Sequence, residues 1–338
     1  MMDCTAAFSA HSAEKTTGVT DRKKGNELFM KKVLITRFFP GSAIDLLREK
    51  YEVDYRDGLY PMEREDLKAA LADADAVISA GDRFDRELLA AAPKLKLIAD
   101  MWPGWGIDRE ACKEFGVEVR TSGYTLDWIS TTEAEHAMMQ MMAMGRNLFA
   151  LDAFVRSGKY KSIDECNKLF PGMGLAGRKL GIVGGAGRAG DKLASRAMAF
   201  GMNVRYWDEM EGEGYKRLNV PMIDFNELIE TSDYIVLMAN GCKGYLFDKE
   251  QFDRMNHDAI LCNVTTGSLI NETELIRALK DGRLRGAALD KYEDEPAQKP
   301  GLTELKNVIL TPHSDGALYD VRSTIFNILA EYCCEILG

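Results

Sequence analysis

Lys179-Leu-Gly-Ile-Val-Gly-Gly-Ala-Gly-Arg-Ala-Gly190 runs directly into Asp191-Lys-Leu-Ala-Ser-Arg-Ala-Met-Ala-Phe200. Leu180 to Val183 is a short apolar run that reads as a buried strand, and the Ala-rich stretch after Gly190 reads as a helix. Glycines stand between them at 185, 187 and 190. Strand, G-x-G-x-x-G and helix in that order is the context a dinucleotide-binding turn requires. Gly185 permits the tight turn, Gly187 has no Cβ to block a pyrophosphate, and Gly190 lets the helix approach its strand. The free N–H groups and partial positive charge at the helix start then favour phosphate.

The following segment supplies the second half of the pattern. Gly201-Met-Asn-Val-Arg-Tyr-Trp-Asp208 reads as the next strand and ends on an acid 18 residues past Gly190, close to the ~20 expected for a ribose-binding carboxylate. An acid there accepts from a ribose 2′-hydroxyl and repels a 2′-phosphate, so NAD is expected over NADP. The bland alternative is a glycine-rich turn in some other α/β unit, with Asp208 as a strand-end cap. Turn and acid together weigh against it.

At 338 residues the chain exceeds the usual limit for a single core, so two domains are expected. The formal charge of −10 argues against nucleic acid or an anionic membrane as partner. Seven cysteines without a C-x-x-C pair make a disulfide framework or structural zinc site a poor reading, and reduced thiols in a cytoplasm fit best. No run of about 18 apolar residues suggests a membrane span. Residues 1–29 are small, polar and aperiodic, and lack the apolar region a signal peptide needs. They read as a disordered extension.

From Lys31 onward, strands and helices alternate. Val33–Thr36, Tyr51–Tyr55, Ala76–Ser79 and Lys96–Ala99 read as strands. Ser42 caps a helix between the first two, Met62–Ala72 follows Pro61 as another, and Arg86–Ala92 is a third. Such alternation predicts a parallel sheet with helices on both faces and ligands at the C-terminal strand ends. Two strand-end loops are unusual. Asp100-Met-Trp-Pro-Gly-Trp-Gly-Ile-Asp108 carries Trp102 and Trp105, and Thr121-Ser-Gly-Tyr-Thr-Leu-Asp-Trp128 adds Trp128, three of only four tryptophans. They are either stacking platforms for a flat or ring-shaped substrate or cover for a domain edge or dimer contact.

Thr131 or Thr132 is expected to cap a long connector helix that passes Glu135, His136 and Met138–Met144 and runs on to Val155. Methionines all round a helix imply burial against both domains or a second subunit. His136 reads as a packed helix histidine. Beyond the glycine turn, Val220–Ile223 reads as a peripheral strand because Pro221 cannot donate to a ladder. Tyr234–Met238, Ala259–Val264, Gly286–Asp290 and Val308–Thr311 complete a second sheet. The expected organisation is two Rossmann-like, doubly wound parallel α/β domains. A flavodoxin-like substrate domain spans 30–130 and 313–338, and a nucleotide domain spans 131–312.

Two titratable side chains stand at strand ends on the ligand side. His313 follows Thr311-Pro312, and Glu295 lies in Asp290-Lys-Tyr-Glu-Asp-Glu-Pro296. A His held basic by a carboxylate suits hydride transfer to a carbonyl, where the imidazolium donates a proton to the oxygen and neutral His serves the reverse.

With these residues in place, the chain resembles the D-isomer-specific 2-hydroxyacid dehydrogenase family from Lys31 to Gly338. The resemblance rests on GIVGGAGRAG with Asp208, Ala134-Glu-His136, Leu289-Asp290, Glu293-Asp-Glu-Pro296 and Leu310-Thr-Pro-His313. It implies that Glu295 and His313 form the acid–base pair and that Asp290 holds the nicotinamide carboxamide. It further implies that Gly185, Gly187, Arg188, Ala189 and Gly190 cradle the pyrophosphate of NAD, with Ala239 and Val264 along the cofactor site. A homodimer through the nucleotide domain and a small-molecule substrate in the interdomain cleft are implied as well.

The departures concern the substrate. Asn263-Val-Thr-Thr-Gly267 places Thr266 where the family's N-[TV]-x-R-G has the arginine that grips the substrate carboxylate. Met101-Trp-Pro-Gly-Trp-Gly-Ile-Asp108 puts Pro103 into a loop that normally donates backbone N–H groups. Removing a charge-assisted contact from a carboxylate that stays buried costs about 2–5 kcal/mol. An atypical sugar, polyol or aromatic hydroxy substrate is therefore expected, stacked on Trp102, Trp105 and Trp128. The alternatives are ordinary 2-keto acid reduction with another anchor, such as Lys243 or Arg83, and an inactive NAD(H)-sensing protein. Retention of Glu295 and His313 counts against the sensor.

Overall fold

A computed structural model describes residues 30–123, 125–186, 189–239 and 244–338. Gly187, Arg188, Lys243 and the 1–29 extension lie outside the described residues. The first layer set contains β1 (Lys32–Ile35), α1 (Ala43–Lys50), β2 (Glu52–Tyr55), α2 (Arg64–Leu71), β3 (Ala76–Ser79), α3 (Arg86–Ala90), β4 (Leu97–Asp100), α4 (Arg109–Phe115) and β5 (Glu118–Thr121). Its strands are all parallel in the order β2-β1-β3-β4-β5, the flavodoxin-like arrangement. Apolar runs such as Ala76–Ser79, buried at every position, are what a sheet covered on both faces demands.

Three helices lead into the second sheet: α5 (Thr125–Gly145), α6 (Leu148–Arg156) and α7 (Ile163–Leu169). The second set then runs β6 (Lys179–Val183), α8 (Gly190–Ala199), β7 (Asn203–Trp207), α9 (Glu213–Arg217), α10 (Phe225–Thr231), β8 (Tyr234–Leu237), α11 (Lys249–Arg254), β9 (Ile260–Asn263), α12 (Glu272–Lys280), β10 (Gly286–Leu289) and β11 (Val308–Leu310). The strand order is β11-β10-β9-β8-β6-β7, again all parallel. Finally α13 (Tyr319–Leu337) returns to the first sheet and packs on α1, β3 and β4. The architecture is thus two doubly wound parallel sheets with flanking helices.

Register decides the geometry of the site. Val183, Leu237, Asn263, Leu289 and Leu310 pair across neighbouring strands. The residues immediately after them, Gly184, Met238, Val264, Asp290 and Thr311, therefore form one row at the C-terminal edge. The order reverses between β6 and β8, which is where ligands settle in open parallel sheets.

Three local expectations are corrected. The connector helix begins at Thr125 rather than at Thr131 or Thr132, whose hydroxyls bond back to the carbonyls of Asp127 and Ile129 at 3.0 Å each. Bonding to the preceding turn lets Thr sit inside a helix. The same helix stops at Gly145, where a Cβ would lie 2.2 Å from the Tyr234 hydroxyl. Asn147, at φ 52°, separates it from α6. Burial of its methionines is one-sided, since Met138, Met141 and Met144 are buried while Met139 and Met142 are exposed. Val220–Ile223 contributes a single parallel bridge, Met222 to Tyr206, beside β7. That is the predicted edge position, but Pro221 offers no N–H to extend the ladder.

Candidate active site

The glycine turn after β6 is built by close backbone approach. Gly184 and Gly185 both adopt left-handed conformations, φ 86° and 80°, which only glycine enters freely. A Cβ on Gly184 would stand 2.5 Å from Ala239 Cα, and one on Gly185 would stand 2.9 Å from Gly190 Cα. The strand end, β8 and the start of α8 therefore share one compact corner. Ala189 is the buried residue preceding α8, and Gly190 donates its N–H to the Gly185 carbonyl at 3.1 Å. Gly190 is small for a reason other than approach to its strand alone, because a Cβ there would lie 1.7 Å from the Tyr215 hydroxyl. Tyr215, from α9, donates to the Gly184 carbonyl at 2.9 Å and stacks on Tyr206 with ring centroids 3.9 Å apart. Burial pushes its phenol far up from the ordinary value, so it stays a neutral donor clamping the turn.

Asp208 follows β7 on the same edge, and its Oδ2 accepts the Ala186 N–H at 2.9 Å. This ties the acid to the turn, while Oδ1 makes a long contact, 3.4 Å from the Met210 N–H. A cradle with no room for a Cβ, an aligned helix start and a carboxylate beside them fit a dinucleotide. Ala239 and Val264, both buried at the ends of β8 and β9, continue the row.

Asp290, fully buried beyond β10, is engaged by the chain itself. Its Oδ1 accepts from the Thr311 hydroxyl at 2.5 Å, the Ser314 N–H at 2.9 Å and the Ser314 hydroxyl at 3.1 Å. Its Oδ2 accepts the Asp315 N–H at 3.1 Å. His136 Nε2 lies 3.3 Å from Oδ1 and 3.2 Å from Thr311 Oγ1. Burial favours the neutral acid, yet bonds from His136, the Ser314 N–H and Thr311 outweigh it and hold the carboxyl well below the usual range. The Asp290 carbonyl also accepts the His313 N–H at 2.8 Å. Asp290 thus organises the turn that presents His313.

His313 itself has φ 53°, a left-handed conformation that a side chain other than glycine adopts at some cost and that recurs at functional sites. Its Nδ1 is 2.8 Å from Glu295 Oε2. The other carboxylate oxygen accepts the Tyr292 N–H at 3.1 Å, and the Tyr292 hydroxyl donates to the Thr311 carbonyl at 2.9 Å. Glu295 and His313 are therefore both tied to the strand-end row. They line a cleft of about 440 Å³ together with Thr265, Thr266 and Lys291, within the roughly 300–1,000 Å³ of small-molecule sites. Thr266 is held by the turn in which Asn263 Nδ2 donates to its carbonyl at 3.0 Å.

The tryptophans divide. Trp102 and Trp105 stack with centroids 6.4 Å apart after β4, Trp105 being 83 % exposed. Asp100, whose pKa burial raises, orders that loop by accepting the N–H groups of Trp102 at 2.7 Å and Gly81 at 3.0 Å. Trp128 instead packs against the core of the first sheet from α5. Arg322 on α13 links the loop to the turn after His313, donating to the Gly316 carbonyl at 3.2 Å and reaching Met101 Sδ at 3.7 Å. Arg83 is exposed in the loop after β3.

Reading the residues alone missed four participants. His136 is packed, as expected, but packed into the Asp290 network. Tyr215 carried no motif at all. Lys291 and Asp315 sit beside Asp290 and His313 in sequence, and charged residues flanking strand ends were the available signal.

Comparison with known proteins agrees with this layout. The description "D-isomer specific 2-hydroxyacid dehydrogenase, NAD binding domain" matches residues 138–314. Glyoxylate reductase of Thermococcus onnurineus is 34% identical over 306 residues, covering 88% of this chain and 90% of its own. That of Thermococcus litoralis is 35% identical over 309 residues, covering 89% and 92%. The solved TT0316 protein of Thermus thermophilus superposes with a TM-score of 0.80 at 31% identity, covering 90% of this chain and 96% of that one. The match of the NAD-binding-domain description over residues 138–314, together with relatives of matching length at 34–35% identity, places this chain in the D-isomer-specific 2-hydroxyacid dehydrogenase family, as an NAD-dependent dehydrogenase acting on CH–OH groups.

Proposed function

We propose that the protein interconverts a hydroxy compound and its carbonyl partner, with His313 and Glu295 as the proton relay, and that the substrate does not depend on an arginine–carboxylate grip. The 2.8 Å contact between His313 Nδ1 and Glu295 carries this reading. Glu295 stabilises the imidazolium, so Nε2 donates its proton to the substrate oxygen in reduction and recovers it in oxidation. NADH held at this corner would supply the hydride for the carbonyl carbon, and NAD would accept it in the other direction. Asp290, with His136 and Thr311 behind it, holds the His313 turn in place. The glycine corner and Asp208 set the dinucleotide's position.

Thr266 stands in the cleft wall with His313, and a hydroxyl there cannot make the bidentate, permanently charged contact of an arginine. A sugar, polyol or aromatic hydroxy compound suits such a wall, with Trp102 and Trp105 available for stacking. A second reading, ordinary 2-keto acid reduction with another anchor, is favoured by the names of the two glyoxylate reductases above. Steady-state rates with NADH on glyoxylate, hydroxypyruvate, pyruvate and phenylpyruvate, set against small aldoses and ketoses, separate the two. Efficient turnover of glyoxylate with none of the sugars would discard the first.

A cytoplasmic homodimer is the proposed form. The described cysteines are unpaired. Leu148, Phe149, Val155, Ile163 and Leu169 leave an exposed apolar face on α6 and α7, of the kind that marks an association surface. Sedimentation at micromolar concentration tests it, a monomer being the contrary result.

A further inference from the structure

Two charged side chains meet beside the relay and take no part in it, one of them, Lys291, in the cleft wall. Lys291 follows Asp290 beyond β10, and Asp315 lies two residues past His313. Lys291 Nζ donates to Asp315 Oδ2 at 3.1 Å, the two side chains being only 12% and 6% exposed. The second carboxylate oxygen, Oδ1, is 3.9 Å from His313 Nε2, the ring nitrogen opposite the one bonded to Glu295. The Asp315 N–H is anchored to Asp290, so the pair is fixed to the strand-end row. Lys291 is the sole Lys or Arg among the described residues lining this cleft.

The reacting oxygen must come within hydrogen-bond reach of Nε2. The group on the neighbouring carbon then falls within a few ångströms of Asp315 Oδ1 and Lys291. A carboxylate in that place meets a fixed carboxylate as well as an ammonium, and the net attraction is small. A hydroxyl satisfies both, since its O–H donates to Asp315 and its lone pair accepts from Lys291. Buried groups arranged to bond a hydroxyl discriminate strongly against ligands that cannot pair with them.

We propose that the Lys291–Asp315 pair reads a hydroxyl on the carbon next to the reacting one, selecting a neutral α-hydroxycarbonyl compound (in the reverse direction a vicinal diol) over a 2-keto acid. The proposal rests on the relay reading of His313 and names the substrate class for that same site.

The test compares wild type, Asp315→Asn and the double variant Lys291→Gln/Asp315→Asn. The substrates are glycolaldehyde and dihydroxyacetone on one side, glyoxylate and pyruvate on the other. Calorimetric binding of oxamate to the enzyme–NADH complex gives a readout independent of turnover. Wild type should prefer the neutral compounds in kcat/KM by at least about tenfold. Asp315→Asn leaves the ammonium uncompensated, so oxamate affinity and keto-acid kcat/KM should each rise at least about tenfold while the neutral compounds lose as much. The double variant should lose the neutral compounds and gain nothing for oxamate, and it decides the matter if the single variant fails to fold. A single variant that lowers both classes equally with unchanged oxamate affinity, a double variant that behaves as wild type, or a wild type that prefers keto acids would each overturn the proposal. Failure of the relay reading is a different outcome, showing as turnover that survives His313→Ala.

Discussion

Thr311, Ser314, Asp315 and His136 all turn toward the carboxylate of Asp290, so its charge is a structural element of the site. Its folded pKa lies below the unfolded value of about 3.9. The stability it contributes is therefore fully present above that value and is lost as pH falls through the folded one. Asp290→Asn should be less stable than wild type at pH 7 by about 2–3 kcal/mol, and the gap should narrow toward pH 3. Urea titrations at pH 7, 5 and 3 measure it, and a gap independent of pH would show that the charge is immaterial. His313 differs, being half exposed beside Glu295, and the proposed relay requires it to exchange protons with substrate. His313→Ala should lower turnover about 10²–10⁴-fold while NADH titration shows affinity within threefold of wild type. The meeting of His313 with Glu295 was legible from Thr311-Pro-His313 and the acid run ending at Pro296. The Asp290 network was not, because its donors come from α5, β11 and the following turn, far apart in the chain.

The corner of β6 and α8 shows how an element constrains its residues. Gly184 combines φ 86° with backbone of Ala239 at 2.5 Å. Gly184→Ala should cost about 2–3 kcal/mol or more and weaken NADH binding, because the segment after β8 must move away from the turn to admit a methyl group. Gly177 shares the conformation, φ 75°, but a Cβ there meets nothing within 4 Å. Gly177→Ala should therefore pay only the strain of about 1–2 kcal/mol and bind NADH normally. Thermal unfolding with fluorescence titration separates the two variants, and equal effects on NADH affinity would contradict the account. Buried strands were read well because their apolar runs are continuous. The helix start at Thr125 was misplaced because Thr131 and Thr132 look like caps when the packing of the preceding turn is unknown.

α13 couples the end of the chain to its beginning. Phe326 is fully buried and stacks on Phe39 with centroids 5.1 Å apart, while Ile325, Leu329 and Cys333 fill the same core. Phe326→Ala should destabilise the protein by about 3–5 kcal/mol, lowering the first sheet's unfolding temperature by several degrees in calorimetry. NADH affinity at 25 °C should hold, because the cofactor corner belongs to the other sheet. An unchanged transition would show that α13 does not staple the first sheet. Arg322, on the same helix, reaches both Met101 and Gly316, so the helix also sets the distance between the tryptophan loop and the turn after His313.

Periodicity, glycine spacing and strand-end acids were enough to establish two parallel sheets, a dinucleotide turn and a histidine–carboxylate pair, because each is written within a few consecutive residues. The row from Gly184 to Thr311, the enclosure of Asp290 and the meeting of Lys291 with Asp315 emerged only once the chain was folded. They depend on strand register and on turns that bring distant strand ends together, and neither leaves a mark on any short stretch of residues.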